Sequence, residues 1–154
     1  MKLKKISLFY GITIAIVIIV YFLILSFFGL HKYPVYSAVD IFIVGVGLFL
    51  LISKYKKNTK GVFKYQKGFW VMFRAGIIAT LIITSFFALY ITELNPGFLR
   101  ELLTTWKEDY SLNPSIAIFG LALMGFSTSI SFSLIHMQLF KRSWNTKDGK
   151  KHTL

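Results

Sequence analysis

The sequence predicts an all-α fold: a four-helix transmembrane bundle with cytoplasmic N- and C-termini and a short amphipathic helix in the outer loop between spans three and four. Composition is the first reason, because 55% of the 154 residues are hydrophobic and only 16% are charged, against about a quarter in a soluble domain. The second is a set of apolar segments long enough to cross a bilayer, which takes about 20 helical residues. The third is a net charge of +12 that is divided unequally between the connecting segments.

The four predicted spans cover residues 6–30, 33–53, 75–92 and 115–140 of a single domain, 1–154. Each run is too long for a core strand, and a membrane β-barrel needs many more segments of about ten residues. The first run also exceeds the apolar part of a cleaved signal peptide, which is about 7–15 residues. We therefore expect an uncleaved first span.

The basic residues predict the orientation of these spans. The N-terminus, the connector 54–74 and the tail 141–154 hold every Lys and Arg except Lys32, Arg100 and Lys107. Because cytoplasmic loops carry the excess of Lys and Arg, both termini and the middle connector are predicted to be cytoplasmic.

The cytoplasmic connector alternates basic and aromatic residues over 61–74, which suits a stretch lying in the headgroup layer before span three. Its basic side chains are predicted to contact anionic lipid headgroups: Lys54, Lys56, Lys57, Lys64, Lys67 and Arg74. Alternatively, the positive-inside bias alone accounts for these residues, and they have no further role.

Residues 96–110 are predicted to form the outer amphipathic helix. Asn95-Pro96 is a favourable helix start, and the apolar residues that follow it share one helical face: Leu99, Leu102, Leu103, Trp106 and Tyr110. The helix would rest on the outer membrane surface or cap the bundle, or it could instead dock a partner.

Small residues recur at every fourth position in spans three and four, which favours close helix packing. The predicted packing residues are Gly76, Thr80, Thr84 and Ala88 in span three and the pairs Ser127/Ser131 and Ser129/Ser133 in span four. The serines could instead line a water path.

Asp40 is the one formal charge inside a predicted span, about 10 Å along the helix from its outer end. An acid at that depth costs roughly 2 kcal/mol or more unless it is paired, protonated or hydrated, which makes it a functional candidate. The alternative is a hydrogen-bonded structural aspartate near the interface.

The residues favour no enzyme, metal or cofactor. The chain has no cysteine, and the predicted topology separates His31, His136 and His152, so we expect no metal site and no catalytic residues. Zinc-helix, phosphate-loop, nucleophile-elbow and dinucleotide motifs are absent from the sequence. A basic connector held against a bilayer is also a poor reader of nucleic acid.

The chain carries a series of loosely spaced features in a fixed order: Gly11 early in span one, Lys54-Tyr55 at the exit of span two, Gly61-x3-Tyr65-x2-Gly68-Phe69 with Gly76 further in, a polar helical loop ending in Asn113-Pro114, and a Ser-rich last span stopping at Lys141-Arg142. This order resembles the uncharacterised bacterial integral-membrane family called domain of unknown function 4199. The resemblance implies a four-helix membrane protein and supplies no activity or site residues.

We therefore expect a non-enzymatic, multi-pass protein of the bacterial inner membrane that serves as an accessory or scaffold subunit. Its expected partners are anionic headgroups on the cytoplasmic face and another membrane protein or a second copy of itself. The alternative is a small oligomeric transporter or channel subunit that uses Asp40 and the serines of span four.

Overall fold

The computed structural model describes residues 3–59, 65–105 and 113–140, and in these ranges it contains helices and no strand. The helices are α1 (Leu3–Phe27), α2 (Pro34–Asn58), α3 (Tyr65–Leu89) with a π-helical turn at Tyr90–Leu94, α4 (Phe98–Thr105) and α5 (Pro114–Phe140). The predicted all-α class is thus confirmed for the described chain. Residues 106–110 of the predicted outer helix and the tail 141–154 lie outside it.

Four helices are long and apolar enough to cross a membrane: Lys4–Phe27, Val35–Asn58, Tyr65–Leu94 and Pro114–Phe140. This confirms the prediction of four apolar helices and indicates a multi-pass membrane protein. The helix between the third and fourth of them, α4, is short, with Phe98 and Leu99 buried and Arg100 and Glu101 exposed.

Local sequence explains where several helices begin and end. Gly29 adopts a φ of 67°, a left-handed conformation that glycine tolerates, and the Gly29 and Leu30 N–H groups donate to the Ser26 and Leu25 carbonyls. This pair of bonds is a Schellman motif, and it ends α1. At the start of α5, the Asn113 side chain accepts a 2.9 Å bond from the Ser115 N–H, as an N-cap residue does.

Helix α3 begins at Tyr65, well before the predicted start of span three at residue 75. Gly68, Val71 and Met72 are buried while Lys67 and Arg74 are exposed, so the basic and aromatic residues occupy the outer side of a continuous helix. Long cationic side chains can reach the headgroups from such a position. From Tyr65 onward, therefore, the stretch forms the first turns of α3 and not a separate segment before it.

Helices α1 and α3 run parallel and in register. Ser7 Oγ donates to the Val71 carbonyl at 2.9 Å, and Ser26 Oγ bonds Tyr90 Oη at 2.9 Å. Both pairs are separated by 64 residues in the chain, so the two helices keep one alignment over most of their length.

The other two long helices run in the opposite direction. Gly76 lies beside Ser129 and Thr80 lies beside Gly125, which makes α5 antiparallel to α3. Helix α2 returns alongside α5, and α3 contacts all three other long helices. The start of α1, the end of α2, the start of α3 and the end of α5 therefore meet at one end of the bundle.

The two ends of the bundle differ in composition. The first, called the basic end below, carries exposed cationic side chains: Lys4, Lys5, Lys54, Lys56, Lys57, Lys67 and Arg74. The other, called the aromatic end, holds a buried cluster of Tyr90, Ile91, Phe98 and Leu99 against Phe22, Phe86 and Phe87. Next to the basic end lies an aliphatic core whose largest fully buried members are Leu48, Leu51, Ile52, Met72 and Met137.

Candidate functional site

The contact between α3 and α5 brings small residues of both helices together. A Cβ added at Gly76 would collide with the Ser129 side chain, and one added at Gly125 would lie 2.6 Å from Thr80 Cγ2. Gly76, Thr80 and Ser129 of the predicted packing set thus lie at one interface. Thr84 and Ala88 continue the same stripe along α3 and are half-buried.

The buried serines of α5 bond to their own helix. Ser129 Oγ donates to the Gly125 carbonyl at 2.7 Å, and Ser133 Oγ donates to the Ser129 carbonyl at 2.6 Å. Their hydroxyl groups are therefore satisfied within α5, and their side chains fill the space against α3.

The second serine pair, Ser127 and Ser131, points away from this contact. Each lies two positions from a buried serine, a rotation of about 200° around the helix, and both are exposed. Gly120 shares their face, and a Cβ added there would meet nothing within 4 Å. Helix α5 thus has a small-residue face packed on α3 and a second one, called the open face below, on the outside of the bundle.

Asp40 lies on α2 near its contact with α1, and its side chain is half-buried. Its Oδ1 atom is buried and has no hydrogen-bond partner among the described residues. One turn away, Tyr21 Oη of α1 donates to the Tyr36 carbonyl of α2 at 2.9 Å. The tyrosine thus ties α1 to α2 beside the carboxylate.

The predicted headgroup residues in the described chain lie at the basic end and are exposed: Lys54, Lys56, Lys57, Lys67 and Arg74. The Lys56 Nζ atom lies 5.0 Å from the centroid of the Phe140 ring, within the range of a cation–π interaction. This contact joins the last turns of α2 and α5. Lys64 lies outside the described residues.

A polar–aromatic cluster, formed by Phe22, Ser26, His31, Tyr90 and Phe98, occupies the aromatic end. Tyr90 Oη is shared between Ser26 Oγ at 2.9 Å and His31 Nε2 at 3.2 Å. The His31 ring stacks on Phe98 with centroids 4.9 Å apart, and Phe22 meets Tyr90 edge to face at 4.9 Å. The cluster links α1, the turn after it, α3 and α4.

The sequence interpretation missed this cluster. His31 and Tyr90 are 59 residues apart, so no local pattern in the sequence brings them together. Tyr90 opens a π-helical turn, a feature often found at functional positions, and this widened turn is not evident in the residue pattern. The available signal was the placement of Ser26, His31 and Tyr90 at the same end of the predicted bundle.

Burial favours the neutral form of His31. Desolvation lowers the pKa of the imidazole below its usual value, an effect that Glu101 opposes and Lys32 reinforces. The Nδ1 atom is buried and has no hydrogen-bond partner among the described residues. The neutral ring is therefore the form that fits between Tyr90 and Phe98.

Acidification should weaken the aromatic end through His31. Because the pKa of His31 is lower in the folded state, the unfolded chain binds more protons as the pH falls below about 6.5, and stability falls with it. We expect the thermal midpoint of the detergent-solubilised protein to decline from pH 7 towards pH 5, and the decline to be smaller in His31→Gln. Parallel pH profiles for the two proteins would contradict this assignment.

The other histidines lie elsewhere. His136 is buried in α5 near the basic end, where Nδ1 lies 2.7 Å from the Phe132 carbonyl, and His152 lies outside the described residues. Among the described side chains, no group of three or more His, Cys, Asp or Glu could hold a metal ion.

Comparison with known proteins identifies a family for the chain. The family model described as "Protein of unknown function (DUF4199)" matches residues 9–142, a range that runs from α1 through α5. The match confirms the resemblance seen in the sequence features. No curated protein and no solved structure matches the chain.

Proposed function

The chain belongs to the DUF4199 family, and we propose that it is a non-enzymatic accessory or scaffold subunit that binds another membrane protein through the open face of α5. The observation that carries this proposal is the pair of small-residue faces on α5. One already packs against a helix of the bundle, and the other is open.

The packed face shows what the open face is suited to bind. On the packed face, Gly125, Ser129 and Ser133 let α3 approach closely. On the opposite side of the helix, Gly120, Ser127 and Ser131 are also small, and the exposed Leu123 and Met124 lie between Gly120 and Ser127. Membrane helices associate through such faces because lipid gives them no hydrophobic driving force, so close van der Waals contact must supply the energy.

The hydrogen bonds of the α5 serines favour this role over conduction. A polar path through the bundle needs hydroxyl groups directed towards water or an ion, whereas Ser129 and Ser133 bond to carbonyls of their own helix. The bundle is thus better suited to present a rigid surface.

We also propose that the basic end faces the cytoplasm of a bacterial inner membrane. The start of α1 and the end of α5 share this end with the exposed lysines of α2, and the positive-inside tendency places such an end on the cytoplasmic side. There its cations would contact anionic headgroups.

Site-specific photo-crosslinking in cells tests the accessory role. A crosslinking amino acid at Ser127 should capture a reproducible membrane protein, while the same group at Phe42 of α2 should not. Phe42 is the matched control because it is 72% exposed and nearly level with Ser127, as α2 runs beside α5 with Gly45 next to Phe132. Gly120→Leu should abolish the capture by filling the open face. Capture of lipid or of the chain itself alone would contradict the proposal.

The alternative function, a small oligomeric transporter or channel subunit, is favoured by the buried Oδ1 of Asp40. An unpaired carboxylate within a span is an expensive feature that commonly belongs to a proton or ion path. In that case, ion flux into proteoliposomes should disappear in Asp40→Asn while the protein level is unchanged.

A further inference from the structure

An open groove of about 350 Å³ lies between α1 and α3 at the basic end. Its surface is almost wholly apolar, and two of the residues that border it carry a positive charge: the lining residues are Lys4, Ser7 and Leu8 from α1, and Arg74, Ile77 and Ile78 from α3. Lys4 and Arg74 are 70 residues apart in the chain, so no local pattern in the sequence places them together.

The parallel register of the helices fixes the relative height of the two cations. With the 64-residue alignment of α1 and α3, Arg74 is level with Tyr10, about 9 Å along the bundle axis from Lys4. Both side chains are exposed and long enough to converge on one small group between them. At a height between the two cations, the helices are held together by the bond from Ser7 Oγ to the Val71 carbonyl.

The positive charges of Lys4 and Arg74 beside the groove favour an anionic ligand. Within the described chain the acidic residues are Asp40, Glu93 and Glu101, and none of them lies at the basic end. Arg74 is also level with an apolar part of α1, where an unpaired cation is costly. A phosphate group can accept two parallel bonds from a guanidinium group and a further bond from an ammonium group.

We propose that this groove binds one anionic phospholipid, with its phosphate between Lys4 and Arg74 and one acyl chain along Leu8, Ile77 and Ile78. Charge complementarity selects the headgroup, and the apolar lining selects a lipid over free phosphate. The cations at the end of α2 differ in their surroundings, since Lys56 lies over the Phe140 ring. The lipid site does not depend on the accessory role.

Quenching of Trp70 by brominated lipid tests the site. Trp70 is exposed and lies one turn before Arg74 on the same face of α3. The full chain with Trp106→Phe and Trp144→Phe retains it as the only tryptophan. In mixed micelles, phosphatidylglycerol with brominated chains should quench Trp70 at a mole fraction about tenfold lower than brominated phosphatidylcholine does.

Two double variants locate the binding energy. Lys4→Gln with Arg74→Gln should remove the preference for phosphatidylglycerol, whereas Lys32→Gln with Arg100→Gln, which removes the same charge from the opposite end of the bundle, should leave it within about twofold. The charge-conserving pair Lys4→Arg with Arg74→Lys should keep the preference, and an unchanged Trp70 emission maximum verifies folding.

Three outcomes would overturn the proposal. Equal losses in the two Gln pairs would mean that the net charge of the protein, and not the groove, sets the preference. Equal quenching by the two lipids would mean that the groove does not select charge. Displacement of the brominated lipid by inorganic phosphate alone would mean that the ligand is a free anion and not a lipid.

Discussion

Gly11→Ala is expected to lower the free energy of unfolding by about 2 kcal/mol, even though alanine favours a helix over glycine by about 1 kcal/mol. The reason is the close approach of α1 and α3 at this position. A Cβ at Gly11 would lie 2.7 Å from the Ala75 carbonyl oxygen and 2.9 Å from Ile78 Cβ. Neither atom can move aside by a side-chain rotation, so the two helices must separate.

Gly120→Ala provides the matched control. It adds the same methyl group to a helical glycine, but that methyl group would meet nothing within 4 Å. Reversible unfolding of the purified protein in mixed detergent micelles should therefore show Gly120→Ala to be as stable as the wild type or up to about 1 kcal/mol more stable. If Gly11→Ala behaved in the same way, the parallel α1–α3 contact described above would be wrong.

The effect of Gly11 also shows how much of this fold the sequence could predict. The four long helices follow from local properties, namely segment length and hydropathy, and those features are evident residue by residue. The parallel alignment of α1 with α3 is set by contacts such as Ser7 with Val71, 64 residues apart. The residue pattern within one helix does not specify how that helix aligns with another. The sequence therefore shows that Gly11 is small, but it does not show which residues of α3 pack against it.

The serines of α5 illustrate the same limit. Helical geometry alone separates Ser127 and Ser131 from Ser129 and Ser133, because a shift of two positions turns the side chain to the opposite face. It does not say which face is buried. That choice depends on Gly76 and Thr80 of α3, whose lack of bulk admits Ser129 and Gly125.

The polar–aromatic cluster at the aromatic end was even less predictable from the sequence. His31 follows α1 and Phe98 opens α4, and their rings stack only because a π-helical turn at Tyr90 and a tight connection through Asn95 bring α4 back over the bundle. Each of these residues taken alone is typical of a membrane interface. The hydrogen bonds that Tyr90 forms with Ser26 and His31 depend on the three-dimensional fold.

The last prediction concerns the α3–α5 contact, where a substitution on one helix should be rescued by one on the other. Gly76→Ala alone is expected to cost about 2 kcal/mol, because its methyl group would lie 2.5 Å from Ser129 Cβ. Ser129→Gly alone should cost about 0.5 kcal/mol through helix propensity. The Ser129 hydroxyl bonds only a carbonyl within α5, so its removal leaves no buried donor unpaired.

Combining the two substitutions should recover part of this loss, because the atom nearest the new methyl group is then the backbone Cα at 3.3 Å. We expect a favourable coupling of about 1–2 kcal/mol in a double-mutant cycle measured by unfolding in mixed micelles. Gly11→Ala with Ser129→Gly serves as the control cycle and should show simple additivity, since the nearest neighbours of Gly11 are Ala75 and Ile78 of α3 and not Ser129. Additive losses in the Gly76 cycle would mean that α3 and α5 do not meet at these two residues.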